Sequence, residues 1–275
     1  MKRLIKDTAR PIYKYIKDKN ERAFNELYSK YAHKPRYKLH KDVLFLDYDC
    51  DIPDTLSFVW QFKEIFVDQI YNFKPLHGQK PVIYDCGANI GLGCLYFKYI
   101  YPDCKIIAFE ADIDIAVHLY ANLKKNNIED VEIIEKAVWI DDKGVSFESD
   151  GADGGAVILN DPNSTKIIDK IDSVRLKDWL NKEERIDLLK IDIEGAELQV
   201  IEDCQDALGH IDYIFLEYHA LQSLPQGLSR ILNILEKNGF RYYIDNISKR
   251  NQPFINQGQD SNMDLQLNIF ATRRS

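Results

Sequence analysis

The chain has 275 residues, of which 45% are hydrophobic, 12% aromatic and 29% charged, so it folds around a sizeable core and is not a disordered polymer. Its net charge of -8 argues against binding nucleic acid through bulk electrostatics. The five cysteines (Cys50, Cys86, Cys94, Cys104 and Cys204) form no C-x-x-C pair, which disfavours a zinc site or a disulfide framework and suits core residues in a reducing cytoplasm.

The charge is unevenly distributed. Residues 1–41 hold 13 Lys/Arg against 4 Asp/Glu. Their apolar residues, Ile5, Ala9, Ile12 and Ile16, then Phe24, Leu27, Tyr28 and Tyr31, recur at helical spacing, with Pro11 as a break. Residues 1–50 therefore read as a basic helical N-terminal extension, and 51–275 as the main domain. The extension suits packing on that domain, pairing of two subunits as a homo-oligomer, or peripheral contact with a membrane or an anionic substrate. No apolar run is long enough to span a bilayer, and the first residues lack the apolar stretch of a signal peptide. A second helix is expected over 53–73, from Phe58, Phe62, Ile65, Phe66, Ile70 and Phe73.

From Pro81 onward short apolar runs alternate with helical stretches. Strands are expected at Val82–Cys86, Ile106–Glu110, Val131–Val138, Ile186–Ile191, Ile211–Glu217, Arg241–Ile244 and Leu265–Thr272. Helices are expected near 92–101, 112–126, 196–207 and 226–238. This alternation predicts an α/β fold with a mostly parallel sheet covered on both faces. Ligands of such sheets bind at the carboxyl ends of the strands.

At the first of these ends Asp85-Cys86-Gly87-Ala88-Asn89-Ile90-Gly91 leads from strand to helix. Glycines there let a ligand approach the backbone. The dinucleotide pattern G-x-G-x-x-G fails at Asn89 and Leu92, which disfavours an NAD-dependent dehydrogenase, and no Walker lysine follows. Asp85 would repel a diphosphate but suits a cationic amine. Glu110 ends the next strand, where an acid accepts hydrogen bonds from both ribose hydroxyls. Amine, ribose and adenine together describe S-adenosylmethionine.

Three strings carry a family resemblance: Asp85–Gly91, Ala108-Phe109-Glu110-Ala111-Asp112, and Leu189-Lys190-Ile191-Asp192-Ile193-Glu194-Gly195-Ala196-Glu197. From about Phe58 to about His219 the chain resembles the FkbM-type S-adenosylmethionine-dependent methyltransferases. The resemblance implies a Rossmann-like, class I methyltransferase fold of seven strands with the last-numbered strand antiparallel. It also implies O-methylation of sugars or sugar-like compounds, with a nucleotide-sugar or polysaccharide precursor, as in capsule assembly, as the acceptor. Gly87, Asn89 and Gly91 would then lie against the methionine part, Asp85 beneath it, and Glu110 on the ribose. Ala111, where the family commonly has proline, Asp112, and the turn Lys136-Ala137-Val138 would border the adenine. Phe58 and Gln61 would either cover the cofactor or pack a helix on the sheet.

Two further strand ends deliver Asp192 with Glu194, and Glu217 with His219, to the same edge. Methyl transfer needs an aligned acceptor oxygen and a group that takes its proton. His219 is the first candidate base, with Glu194 and Glu217 as alternatives. The acids could instead hold a divalent cation. Structural roles compete: Glu194 suits the N-terminus of the next helix or an ion pair with Lys190, and His219 a hydrogen-bonded loop. The glycine-bearing stretch 148–156 suits either a closing loop, with Asp153 as a substrate contact, or a surface turn. A lipid, a small metabolite or a nitrogen atom remains open as acceptor, as does a non-catalytic scaffold that binds the cofactor.

Overall fold

A computed structural model describes residues 18–78, 80–148, 155–157, 169–256 and 263–273. Within them the first element is α1 (Lys19–Tyr31), which starts where the Asp18 carboxylate accepts the N–H groups of Asn20 and Glu21. The apolar positions expected before Asp18 lie outside the described residues. Leu27 and Tyr31 are buried.

The stretch after α1 departs from the helical reading. It forms an antiparallel hairpin, β1 (His40–Phe45) and β2 (Tyr48–Ile52). Val43 and Phe45 on one strand, and Cys50 and Ile52 on the other, face the core two residues apart, which is the period of a strand. The next helix, α2 (Thr55–Phe62), is capped by Asp54 and widens into a π-helical turn, Lys63–Val67. It ends well before residue 73. Asp68 N–H closes the wide turn on the Lys63 carbonyl at 2.8 Å, and Gln69 then takes a positive φ of 56°.

The central sheet is built from β3 (Val82–Cys86), β4 (Lys105–Phe109), β5 (Val131–Ile134), β11 (Ile186–Ile191), β12 (Ile211–Leu221), β13 (Phe240–Asn246) and β14 (Met263–Arg273). Their spatial order is β13-β14-β12-β11-β3-β4-β5. The run from β12 to β5 is parallel, while β14 lies antiparallel between β12 and β13. This is the Rossmann-like seven-stranded arrangement expected above. All six residues of β11 are buried, as a strand covered on both faces requires.

Helices α3 (Leu92–Ile100) and α4 (Ile113–Lys125) cover one face, together with α1, α2 and the hairpin. On that side Leu27, Phe45, Phe58, Phe66, Leu95, Ile106 and Leu119 belong to one apolar cluster. Helices α5 (Leu176–Leu180), α6 (Glu197–Cys204) and α7 (Leu228–Lys237) cover the other face, where Leu176, Ile201, Ile231 and Leu235 pack on Leu189 and Ile214.

The single strand expected over 131–138 is two strands. Lys136 N–H bonds the Ile134 carbonyl at 2.9 Å, and this tight turn redirects the chain. Residues Ala137–Trp139 become β6, which pairs in parallel with β10 (Ser173–Arg175) outside the main sheet. A small antiparallel sheet of β7 (Val145–Glu148), β8 (Ala156–Val157) and β9 (Asp169–Ile171) lies beyond it in sequence. Asp153 and most of its glycine-bearing stretch lie outside the described residues. All five cysteines are buried and free.

Candidate active site

A cavity of about 440 Å³ opens at the carboxyl ends of β3, β4, β11 and β12, within the usual range for small-molecule sites. The turn after β3 forms its floor. Gly87 and Ala88 donate their N–H groups to the Phe109 carbonyl at 3.0 and 2.9 Å, which bends the chain back over β4. Gly87 has φ +84°, and a Cβ there would sit 1.9 Å from the Asp192 carbonyl oxygen, so only glycine fits. Asn89 also has a positive φ, 50°. Gly91 (φ +92°) does not line the cavity; a Cβ there would strike Leu119 on α4 at 2.8 Å, so its role is helix packing.

Glu110 follows β4 directly. Its two carboxylate oxygens accept the N–H groups of Asn89 at 2.7 Å and Asp112 at 2.9 Å. Both oxygens are thereby fixed at the cavity wall, each with remaining acceptor capacity. Burial pushes the Glu110 carboxyl up to about 7, against the pull of those N–H groups. Asp112 lines the same wall while capping α4 through the N–H groups of Asp114 and Ile115. Beside them Ala111, Lys136, Ala137, Val138 and Phe147 form a largely apolar slot.

The floor is charged. Lys190 is buried, with its ammonium 3.1 Å from Asp85, 3.5 Å from Asp192 and 2.7 Å from the Gly87 carbonyl. Burial opposes that charge, but Asp85, Tyr71 and Asp192 outweigh it and hold the Lys190 pKa well above its ordinary value. Two expectations change here. The partner of Lys190 is Asp85 with Asp192 rather than Glu194. Asp85 also meets a cation of the protein itself, since both side chains are almost fully buried in this pair.

Glu194 sits in a left-handed turn with Gly195 (φ 52° and 101°) between β11 and α6. The turn projects Glu194 toward β12, where His219 Nε2 lies 3.5 Å from Glu194 and 3.6 Å from Glu217. Gln266 on β14 donates to Glu217 at 2.5 Å. His219 stands behind these acids rather than on the cavity wall, and its side chain is 1% exposed. Its Nδ1 meets Glu197 at 3.0 Å, and the same Glu197 oxygen accepts the Gly195 N–H. Burial works against a charged ring, but Glu197, then Glu217 and Glu194, push its pKa well above the ordinary histidine value. A ring held in its charged form by its neighbours is poorly suited to take up a further proton from an acceptor. Donor atoms of Asp192, Glu194 and His219 all lie within 4.8 Å of one another, so this set could also hold a divalent cation.

Of the two residues expected on α2, Gln61 lines the cavity, whereas Phe58 is 1% exposed in the core. Ser57, Trp60 and Glu64 share the cavity side with Gln61. Their spacing of three to four residues is a polar stripe on an otherwise apolar helix, a signal present in the sequence. Arg36 reaches the same wall, bonded to Asp54 and Ser57, and Tyr71 and Gln266 complete it. Burial, with Glu217 and Asp192 facing it, pushes the Glu64 carboxyl up to about 7.

The profile of the FkbM methyltransferase domain matches residues 85–242, more than half of the chain and the whole acid-bearing edge. The chain belongs to the FkbM methyltransferase family. Among its relatives, Methyltransferase 1 of Beauveria bassiana is 26% identical over 204 residues, covering 66% of this chain and 81% of its own. Methyltransferase sdnD of Sordaria araneosa is 30% identical over 172 residues, covering 51% of this chain and 66% of its own. The 2-O-methyltransferase NoeI of Sinorhizobium fredii is 26% identical over 181 residues, covering 56% of this chain and 71% of its own. Among the described residues, no helix is long and apolar enough to cross a membrane.

Proposed function

We propose that the protein is an S-adenosylmethionine-dependent O-methyltransferase whose acceptor is a sugar hydroxyl, on a nucleotide-linked or polysaccharide-precursor sugar. The observation that carries this reading is Glu110. It is a buried carboxylate clamped by two N–H groups beside an apolar slot, which is the chemistry needed to hold a ribose next to an adenine. Transfer to oxygen draws support from the relative named as a 2-O-methyltransferase, and the sugar acceptor is what the family resemblance implies.

When bound, S-adenosylmethionine supplies an electrophilic methyl group on a cationic sulfur. The residues fit such a compound. Glu110 would hold the ribose diol, and Ala111, Ala137 and Val138 would border the adenine. The Gly87–Asn89 turn would hold the methionine part, and Asp192, less closely paired with Lys190 than Asp85 is, would be the acid for its amino group. Glu217 would add negative potential beside a cationic ligand, whereas burial pushes the Glu194 carboxyl up to about 8. The imidazolium of His219 holds these two acids in place from behind, with Glu197 fixing its ring. Ser57, Gln61 and Arg36 offer hydrogen bonds to a polyhydroxylated acceptor on the opposite wall.

Calorimetry with S-adenosylhomocysteine, followed by a mass-spectrometric screen of nucleotide-sugars for a gain of one methyl group, tests this reading. Micromolar binding and at least one methylated sugar are expected. No binding at millimolar concentration would end the cofactor assignment. Binding with methylation only of a lipid or an amine would replace the acceptor. Turnover that survives exhaustive chelation would remove a cation from the Asp192, Glu194 and His219 set.

A further inference from the structure

We infer that Glu64 is the general base of the transfer, acting on the acceptor from the π-helical turn of α2; this rests on the methyltransferase reading above. The base must be a carboxylate or ring with a free lone pair at the cavity surface. His219 is disqualified by its position behind the wall and by its three carboxylate neighbours. The other acids on the wall are engaged. Asp85 and Asp192 share Lys190, Glu110 and Asp112 accept backbone N–H groups, and Glu194 and Glu217 face the His219 ring. Glu64 lines the cavity, and among the described residues its carboxylate has no hydrogen-bond or ion-pair partner, while its backbone carbonyl is tied down by the Ile70 N–H at 3.1 Å.

The backbone explains how it comes to be there. An α-helical continuation would turn by one residue per 100°; the wide turn, closed by Asp68 N–H on the Lys63 carbonyl, alters that phase just where Glu64 leaves the helix. π turns of this kind are often found at functional sites. Ile65 and Phe66, which follow, are buried in the core and anchor the turn. The charged groups that act on Glu64 are Glu217 and Asp192 across the cavity and Lys63 and Asp68 on its own segment. The two acids across the cavity favour uptake of a proton, and the raised pKa of about 7 matches a base that works near neutrality.

The step balances. The acceptor oxygen bonds the methyl carbon as the carbon–sulfur bond breaks. That electron pair stays on sulfur, which becomes a neutral thioether, and the hydroxyl proton passes to the Glu64 carboxylate.

Three measurements on the full chain decide it. In calorimetry with S-adenosylhomocysteine, Glu64→Gln should bind within twofold of the wild type. A tenfold loss in the variant alone would place the carboxylate on the cofactor and overturn the proposal, whereas no binding to the wild type would sink the cofactor reading itself. In carboxyl-labelled protein loaded with S-adenosylhomocysteine, the glutamate carbon resonance missing from Glu64→Gln should titrate well above the ordinary range; titration at or below the ordinary glutamate value overturns the proposal. With the first sugar that turns over, Glu64→Gln should lose on the order of 10²-fold in kcat at unchanged KM for S-adenosylmethionine, with Glu64→Asp recovering part. Unchanged kcat, with both variants folded by circular dichroism, overturns it.

Discussion

A carboxylate that is half buried, unpaired and faced by other acids costs the fold free energy whenever it is ionised. For Glu64 the sign follows from the direction of its shift. Its pKa rises from 4.5 to about 7 on folding, so the native state holds the proton more tightly than the unfolded chain. Stability from this group is complete below about pH 4.5 and is lost as pH rises through 7. Replacing Glu64 by Gln should therefore leave thermal stability unchanged near pH 4, and raise it progressively up to pH 8 by at most about 3 kcal/mol. Unfolding curves of the two proteins across that pH range check it. A variant equally stable at every pH would mean that Glu64 is solvated like any surface acid. Gain of stability with loss of turnover is the trade expected of a working group in a desolvated position.

At the scale of elements, the glycine turn is tied to the hairpin by one fully buried side chain. Asn122 on α4 accepts the Asp51 N–H at 2.7 Å and donates to the Ile90 carbonyl at 2.9 Å and to the Asp51 carbonyl at 3.2 Å. Asn122→Leu keeps the volume but strands these buried backbone groups. It should cost about 2–4 kcal/mol in denaturant unfolding and weaken S-adenosylhomocysteine binding, because the turn that precedes α3 loses its brace. Undiminished affinity would show the turn to be held by Phe109 and Glu110 alone. The same scale shows what the residues disclose before folding. β3, β4, β11 and β12 are mostly apolar runs of strand length, and β14 alternates apolar with polar residues before an apolar stretch, so all five are found within a residue or a few. Their acidic ends, Asp85, Glu110, Asp192 and Glu217, follow from register alone. Pro35 marks a break after α1, but the hairpin is hidden because its core residues, Val43, Phe45, Cys50 and Ile52, sit in short strands among charged residues and do not form a long apolar run. The split at Lys136 depends on one local hydrogen bond inside an apolar run. Neither the Asp85–Lys190 pair nor the closure of His219 by Glu197 is legible, because each joins residues on different elements. The π turn is hidden too, since Phe62 and Phe66 keep ordinary helical spacing.

For the whole molecule, the N-terminal elements share a core with the sheet. Leu27, Tyr31, Phe45 and Ile52 belong to the cluster that includes Phe58, Phe62 and Ile106, and Phe45 meets the rings of Phe58 and Phe62 at 5.3 and 5.5 Å. Removing residues 1–41 takes away two buried side chains of α1, each worth about 2–5 kcal/mol in a core. The truncated protein should melt at a much lower temperature and lose cofactor affinity with its fold. An unchanged melting temperature, with only the KM for the acceptor raised, would instead mark this region as an appended arm.

The placement of β14 has a consequence for biosynthesis. β14 is synthesised after both of its neighbours yet belongs between them, paired along most of its length with β12 on one side and β13 on the other. Until it arrives, those two strands present bare backbone to whatever is near. The nascent chain thus passes through a stage in which a neighbouring copy could take the empty slot, and chaperone dependence or inclusion bodies during expression would be the visible symptom.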